Sequence, residues 1–142
     1  MLRHKIGYQG LGRRVRGIVL NAFDADARSE CLYGAWLCGS VLGHVGMALH
    51  HMLCHVLGGS FNLPHTETHT IILPHALAYN AGAAPEAMKR IAKALGASNA
   101  AEGAFDLAKQ LGAPMALRDI GLKETDLESV CKGNNIRRRQ CA

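Results

Sequence analysis

Hydrophobic and polar positions along the chain alternate with helical spacing, and the breaks between them are marked by glycine, proline and asparagine. The longest apolar stretch runs from Ala27 to Gly59, and between Glu30 and Glu67 histidine is its only titratable side chain of basic type. Its length matches a membrane span, but Gly34, Gly39, Gly43 and Gly46, four histidines and the lack of a flanking aromatic belt argue against one. The pattern predicts two helices broken near Gly43 to Gly46 and buried on most sides, because a helix apolar all round belongs inside a core. Gly58-Gly59-Ser60 is expected to end the second, and Phe61-Asn62-Leu63-Pro64 to form a turn. A third helix is expected from His65 to about Tyr79, bent at Pro74.

Pro85 opens an amphipathic helix in which Met88, Ile91, Ala92 and Leu95 fall on one stripe, and Gly96 stops it. Asn99 and Glu102 have capping-box spacing ahead of a stripe of Phe105, Ala108 and Leu111 that ends at Gly112. Thr125 and Glu128 repeat the signal before Leu127, Val130 and Cys131. No alternating strand pattern follows residue 27, so the expected fold class is all-α.

Composition supports one folded domain: 142 residues with 49% hydrophobic side chains can bury a core. The net charge of +5 suggests a nucleic-acid partner only until the charges are located. Nine of the sixteen basic residues lie in 1–16 and 132–142, leaving seven basic against eleven acidic residues in between. The middle of the chain therefore repels phosphate, and neither nucleic acid nor membrane is expected as a partner. We divide the chain into a basic segment 1–23, a helical domain 24–131 and a basic tail 132–142. Five cysteines without a C-x-x-C pair, three of them in apolar helical stretches, fit a reducing cytoplasm in which a thiol acts as a small hydrophobe.

The segment HHMLCHVLGGSFNLPHTETH, His50 to His69, holds five of the eight histidines. His51 and His55, four residues apart, share a helix face, and His65 follows a turn that can return it to that face. Imidazoles from two elements can share a divalent ion, yet the segment offers only Glu67 as a carboxylate, and H-M-L-C-H lacks the glutamate of a zinc protease. Spacing alone leaves two readings equal: a metal or catalytic cluster, or satisfied core histidines. His44 and His75, isolated in apolar surroundings, are expected to be structural. Gly7 to Gly12 reads G-x-x-G-x-G and is not the dinucleotide fingerprint; no phosphate loop and no G-x-S-x-G serine motif is present.

The run LYGAWLCGSVLGHVGMALHHMLCHVLGGSFNLPHTETHTIILPHALAYN, Leu32 to Asn80, resembles the maleylacetate reductases of the iron-containing alcohol dehydrogenase family, and APEAMKRIAKALGA and LGAPMALRDIGLKETDL continue the likeness. It implies the C-terminal helical domain of the iron-containing alcohol dehydrogenase and dehydroquinate synthase-like fold. It also implies NADH- or NADPH-dependent reduction of a small-molecule substrate, maleylacetate, to 3-oxoadipate in aromatic degradation. By the family's spacing His51 and His65 would be ligands to a divalent metal, iron or zinc, and His55 would lie beside the nicotinamide. All three are the implied catalytic residues. The family's further ligands, an Asp and a His, come from an earlier helix without a match in residues 1–26, and its nucleotide-binding domain has no counterpart here. Most of the cofactor's contacts would then lie outside these residues. Pro64-His65-Thr66-Glu67 departs from the Pro-His-Gly usual in iron-dependent alcohol dehydrogenases, which favours the reductase subgroup, some of whose members work without metal. Residues 31–88 contain no Lys or Arg to meet the substrate carboxylates, which leaves Arg118 as a candidate. A homodimer is expected. An iron-dependent alcohol dehydrogenase domain and a non-catalytic helical module are the alternatives.

Overall fold

The computed structural model describes residues 21–126, and five α-helices and a short 3-10 turn lie wholly within them. They are α1 (Ala25–Leu42), α2 (Leu49–Phe61), α3 (His65–Asn80), α4 (Pro85–Leu95), α5 (Ala100–Gln110) and the 3-10 turn Leu117–Ile120. There is no strand among the described residues, as the all-α expectation requires. The basic ends, the glycine motif at 7–12, Cys131, Cys141 and the stripe beginning at Leu127 lie outside the described residues.

The helix boundaries follow from local chemistry. Asp24 caps α1 by accepting from the Ala27 amide at 2.9 Å. Asn99 caps α5 by accepting from the amides of Ala101 and Glu102 at 2.8 and 3.3 Å. Pro85 occupies the first turn of α4, and Gly96, at φ 69°, closes it in the left-handed region. One expected stop is displaced. Gly58 and Gly59 lie within α2, which continues to Phe61 and ends where Asn62 turns left-handed at φ 53°. Asparagine tolerates that conformation, and Pro64 disfavours helical backbone at Leu63 before it, so the next helix begins only at His65.

Packing couples α2 to α3, α3 to α5, α4 to α5, and α3 to the 3-10 turn. The core between them contains Cys54, Leu57, Leu63, Ile72 and Leu122, flanked by Leu53, Phe61, Leu117 and Ile120. Helices α4 and α5 approach so closely at Gly103 that a β-carbon there would lie 2.7 Å from Ala97 Cβ and 3.1 Å from Leu95 Cβ.

Helix α1 departs from the expectation of burial on most sides. It is not among the principal packing pairs, and Ala27 is its buried residue. Leu32, Tyr33, Trp36 and Val41 are 59–70% exposed. The apolar pattern is real, but none of the principal packing pairs among the described residues covers this face. No described helix is long and apolar enough to cross a membrane.

A candidate site of clustered imidazoles

Two short helices bring five histidines together. Helix α2 carries His50, His51 and His55; α3 starts at His65 and carries His69 one turn later. The start of α3 is fixed by Thr68, which is fully buried and donates its hydroxyl to the Pro64 carbonyl at 2.6 Å, while its amide donates to the same oxygen at 3.0 Å. This clasp holds the first turn against the core formed by α2.

His69 is the hub. Its ring centroid lies 4.7 Å from that of His50, 5.0 Å from His51 and 4.4 Å from His65. His51 and His55 stand 6.5 Å apart along α2, and His55 reaches across to His65 at 5.6 Å. His50 and His51 meet edge to face at 5.3 Å. The structure thus gathers the expected residues His51, His55 and His65 and adds His50 and His69. The i,i+4 rule that paired His51 with His55 also pairs His50 with Cys54 and His65 with His69, so the signal was present in the sequence.

Burial is graded through the cluster. His55 and His65 are exposed, His50, His51 and His69 are half-buried, and Cys54 beneath them is fully buried. Desolvation, reinforced by repulsion from His50, His65, His51 and His55, lowers the His69 pKa to about 4, so the hub is a neutral imidazole near pH 7. Burial pushes the Cys54 thiol above its ordinary value. His50 Nε2 lies 3.0 Å from the His69 carbonyl oxygen and donates to it, so Nδ1 is the ring nitrogen not engaged there. His69 Nε2 is buried with no hydrogen-bond partner. One potential ligand atom each from His50, Cys54 and His69 lies within 4.8 Å of the other two.

Exposure of His55 and His65 does not suit a core role for those two, and His69 Nε2 finds no protein partner among the described residues. His44 and His75 are exposed as well, contrary to a core role: His44 lies beyond the end of α1, its Nδ1 2.6 Å from the Ser40 carbonyl. Arg118 is not among the clustered histidines. It lines a separate hollow of about 490 Å³ with Ile71, His75, Met115 and Lys123.

Comparison with known proteins agrees with this architecture. A sequence profile described as "Fe-containing alcohol dehydrogenase family, C-terminal" matches residues 9–136, extending past both ends of the 24–131 helical domain. A maleylacetate reductase of Delftia acidovorans is 55% identical over 126 residues, covering 89% of this chain and 36% of the relative. The crystal structure of a maleylacetate reductase from Rhizobium sp. superposes with a TM-score of 0.80 at 44% identity, covering 88% of this chain and 36% of that one. An iron-containing alcohol dehydrogenase from Corynebacterium glutamicum gives a TM-score of 0.80 at 40% identity over 92% of this chain and 39% of its own. The chain spans little more than a third of the length of these relatives. With the profile covering most of the sequence and the helices superposing on solved members, the chain belongs to the iron-containing alcohol dehydrogenase family, whose C-terminal region it matches.

Proposed function

We propose that this chain is the histidine-bearing helical part of an NADH- or NADPH-dependent reductase acting on maleylacetate and yielding 3-oxoadipate. The observation that carries the reading is the convergence of His51, His55 and His65 in one cluster, joined through His69, within a sequence 55% identical to a maleylacetate reductase. The nicotinamide cofactor supplies the hydride. What remains for the protein is to stabilise the enolate that forms when a double bond conjugated with carbonyl groups is reduced, and to deliver a proton to carbon. Imidazoles that are partly exposed, and so able to exchange protons with solvent, suit both tasks.

In this reading His55 lies beside the nicotinamide. His51 and His65 would hold a divalent ion, iron or zinc, whose positive charge would stabilise the enolate oxygen. The donor set fits such an ion in part: two imidazoles from adjacent helices, with further ligands needed from outside the described residues. The reading includes a cytoplasmic setting, consistent with Cys31, Cys38 and Cys54 as free thiols, and a homodimer for which the exposed apolar side chains of α1 offer a surface.

Recombining the chain with the nucleotide-binding half of a maleylacetate reductase tests the proposal. The expected outcome is NADH or NADPH oxidation that depends on maleylacetate and falls roughly 10²- to 10⁴-fold with His55→Ala. Turnover of simple alcohols with bound iron, and none of maleylacetate, would instead favour an alcohol dehydrogenase.

A further inference from the structure

We infer that His50, Cys54 and His69 form a thiolate–imidazole metal site of their own, distinct from the His51 and His65 pair and suited to zinc or another borderline-soft divalent ion. The inference rests on side-chain geometry and not on the reductase reading. One ligand atom from each of the three residues already lies within 4.8 Å of the others. In a tetrahedral zinc site, with Zn–S near 2.3 Å and Zn–N near 2.0–2.1 Å, neighbouring ligand atoms sit about 3.5 Å apart. Closing the trio therefore takes shifts of about 1 Å, within the reach of side-chain rotation.

Three features mark a site rather than a chance gathering. His69 Nε2 is buried and has no hydrogen-bond partner, and a bound ion would satisfy it. The Nε2–H of His50 donates to the His69 carbonyl at 3.0 Å, so a backbone oxygen fixes the tautomer and ring of one ligand and leaves Nδ1 free, as outer partners do for metal-bound histidines. Cys54 is fully buried against the core, which holds its sulfur in a fixed place. The exposed imidazoles of His55 and His65 continue the cluster to the surface and provide the entry path.

Thiolate with imidazole selects zinc or cobalt(II) over magnesium or calcium. On binding, the Cys54 S–H bond is replaced by a sulfur–metal bond and the proton leaves to solvent, with no change of oxidation state. Within this chain the trio offers three ligands and the His51 and His65 pair two.

The test is titration of the full 142-residue chain, stripped with chelator, with cobalt(II). We expect one equivalent to bind with a sulfur-to-cobalt charge-transfer absorption that zinc abolishes. Cys54→Ala should lose that absorption, with circular dichroism confirming that the helices remain. His69→Gln, which leaves the thiol in place, should weaken cobalt binding by more than about tenfold. His51→Ala, His65→Ala, Cys31→Ala and Cys38→Ala should each retain the absorption. A wild-type spectrum without the thiolate band would overturn the assignment, as would a band that survives Cys54→Ala or disappears with His51→Ala or His65→Ala. No nucleotide or maleylacetate is involved, so this outcome is independent of the reductase assay.

Discussion

Helices α1 and α2 are built from the same kind of sequence, apolar with interspersed small residues, yet they end in opposite environments. Helix α2 packs on α3 and places Cys54 and Leu57 in the core; α1 leaves Leu32, Tyr33, Trp36 and Val41 in solvent. An apolar helix declares that it needs a partner, but its sequence does not say which chain or region provides one. For α2 the partner is the next helix. Among the described residues α1 has no such principal partner, and its apolar face stays largely uncovered.

The sharpest way to break that comparison is to truncate one leucine in each helix. Leu57→Ala, 4% exposed, should cost about 2–5 kcal/mol in denaturant unfolding, whereas Leu32→Ala, 70% exposed, should change stability by no more than about 0.5 kcal/mol. Equal costs would show that α1 is packed after all. Gly103→Ala comes next. Its methyl group would press on Ala97 and Leu95, and the overpacking should cost about 1–3 kcal/mol despite the better helix propensity of alanine. A similar substitution at Gly39, which has nothing nearby, should not destabilise the bundle.

An effect of pH is expected as well. The His69 pKa lies near 4 in the fold against 6.5 ordinarily, so between those values the unfolded chain binds more protons. The metal-free protein should keep this contribution above about pH 6.5 and lose it progressively as pH falls towards 4, with His69→Asn flattening that part of the profile. A midpoint unchanged over the window in the wild type would sink the assignment. The least perturbing test leaves stability untouched: Trp36, the single tryptophan and 63% exposed on α1, should be readily quenched by acrylamide, and protected once α1 is covered.

Much of this architecture was legible in the sequence because helix ends are local events. Pro85, Gly96 and Asn99 each act through one or two neighbouring amides or a fixed dihedral angle, and each marks its boundary in the structure. Gly58 and Gly59 misled, since glycine only permits a helix to stop; the end comes where Asn62 turns left-handed ahead of Pro64. The site was half legible. The spacing of His51 and His55 is a property of one helix, but the meeting of His50 with His69 depends on how α3 lies against α2, which no single-helix rule specifies. Cys54 read as a small hydrophobe, and its place in the core agrees; its nearness to two imidazoles appears only once the helices pack.

The spacing within the cluster also governs what kinds of change it can survive. His51 and His55, His50 and Cys54, and His65 and His69 are all four residues apart, so each helix works as a ruler with one graduation per turn. Exchanging a single side chain removes one mark and leaves the others aligned. Inserting or deleting one residue between Thr66 and Thr68 would instead rotate His69 by about 100° relative to His65 and separate it from all its neighbours at once. The cluster is therefore tolerant of spelling and intolerant of length, and any variation in chain length near it should fall in the turn between the helices.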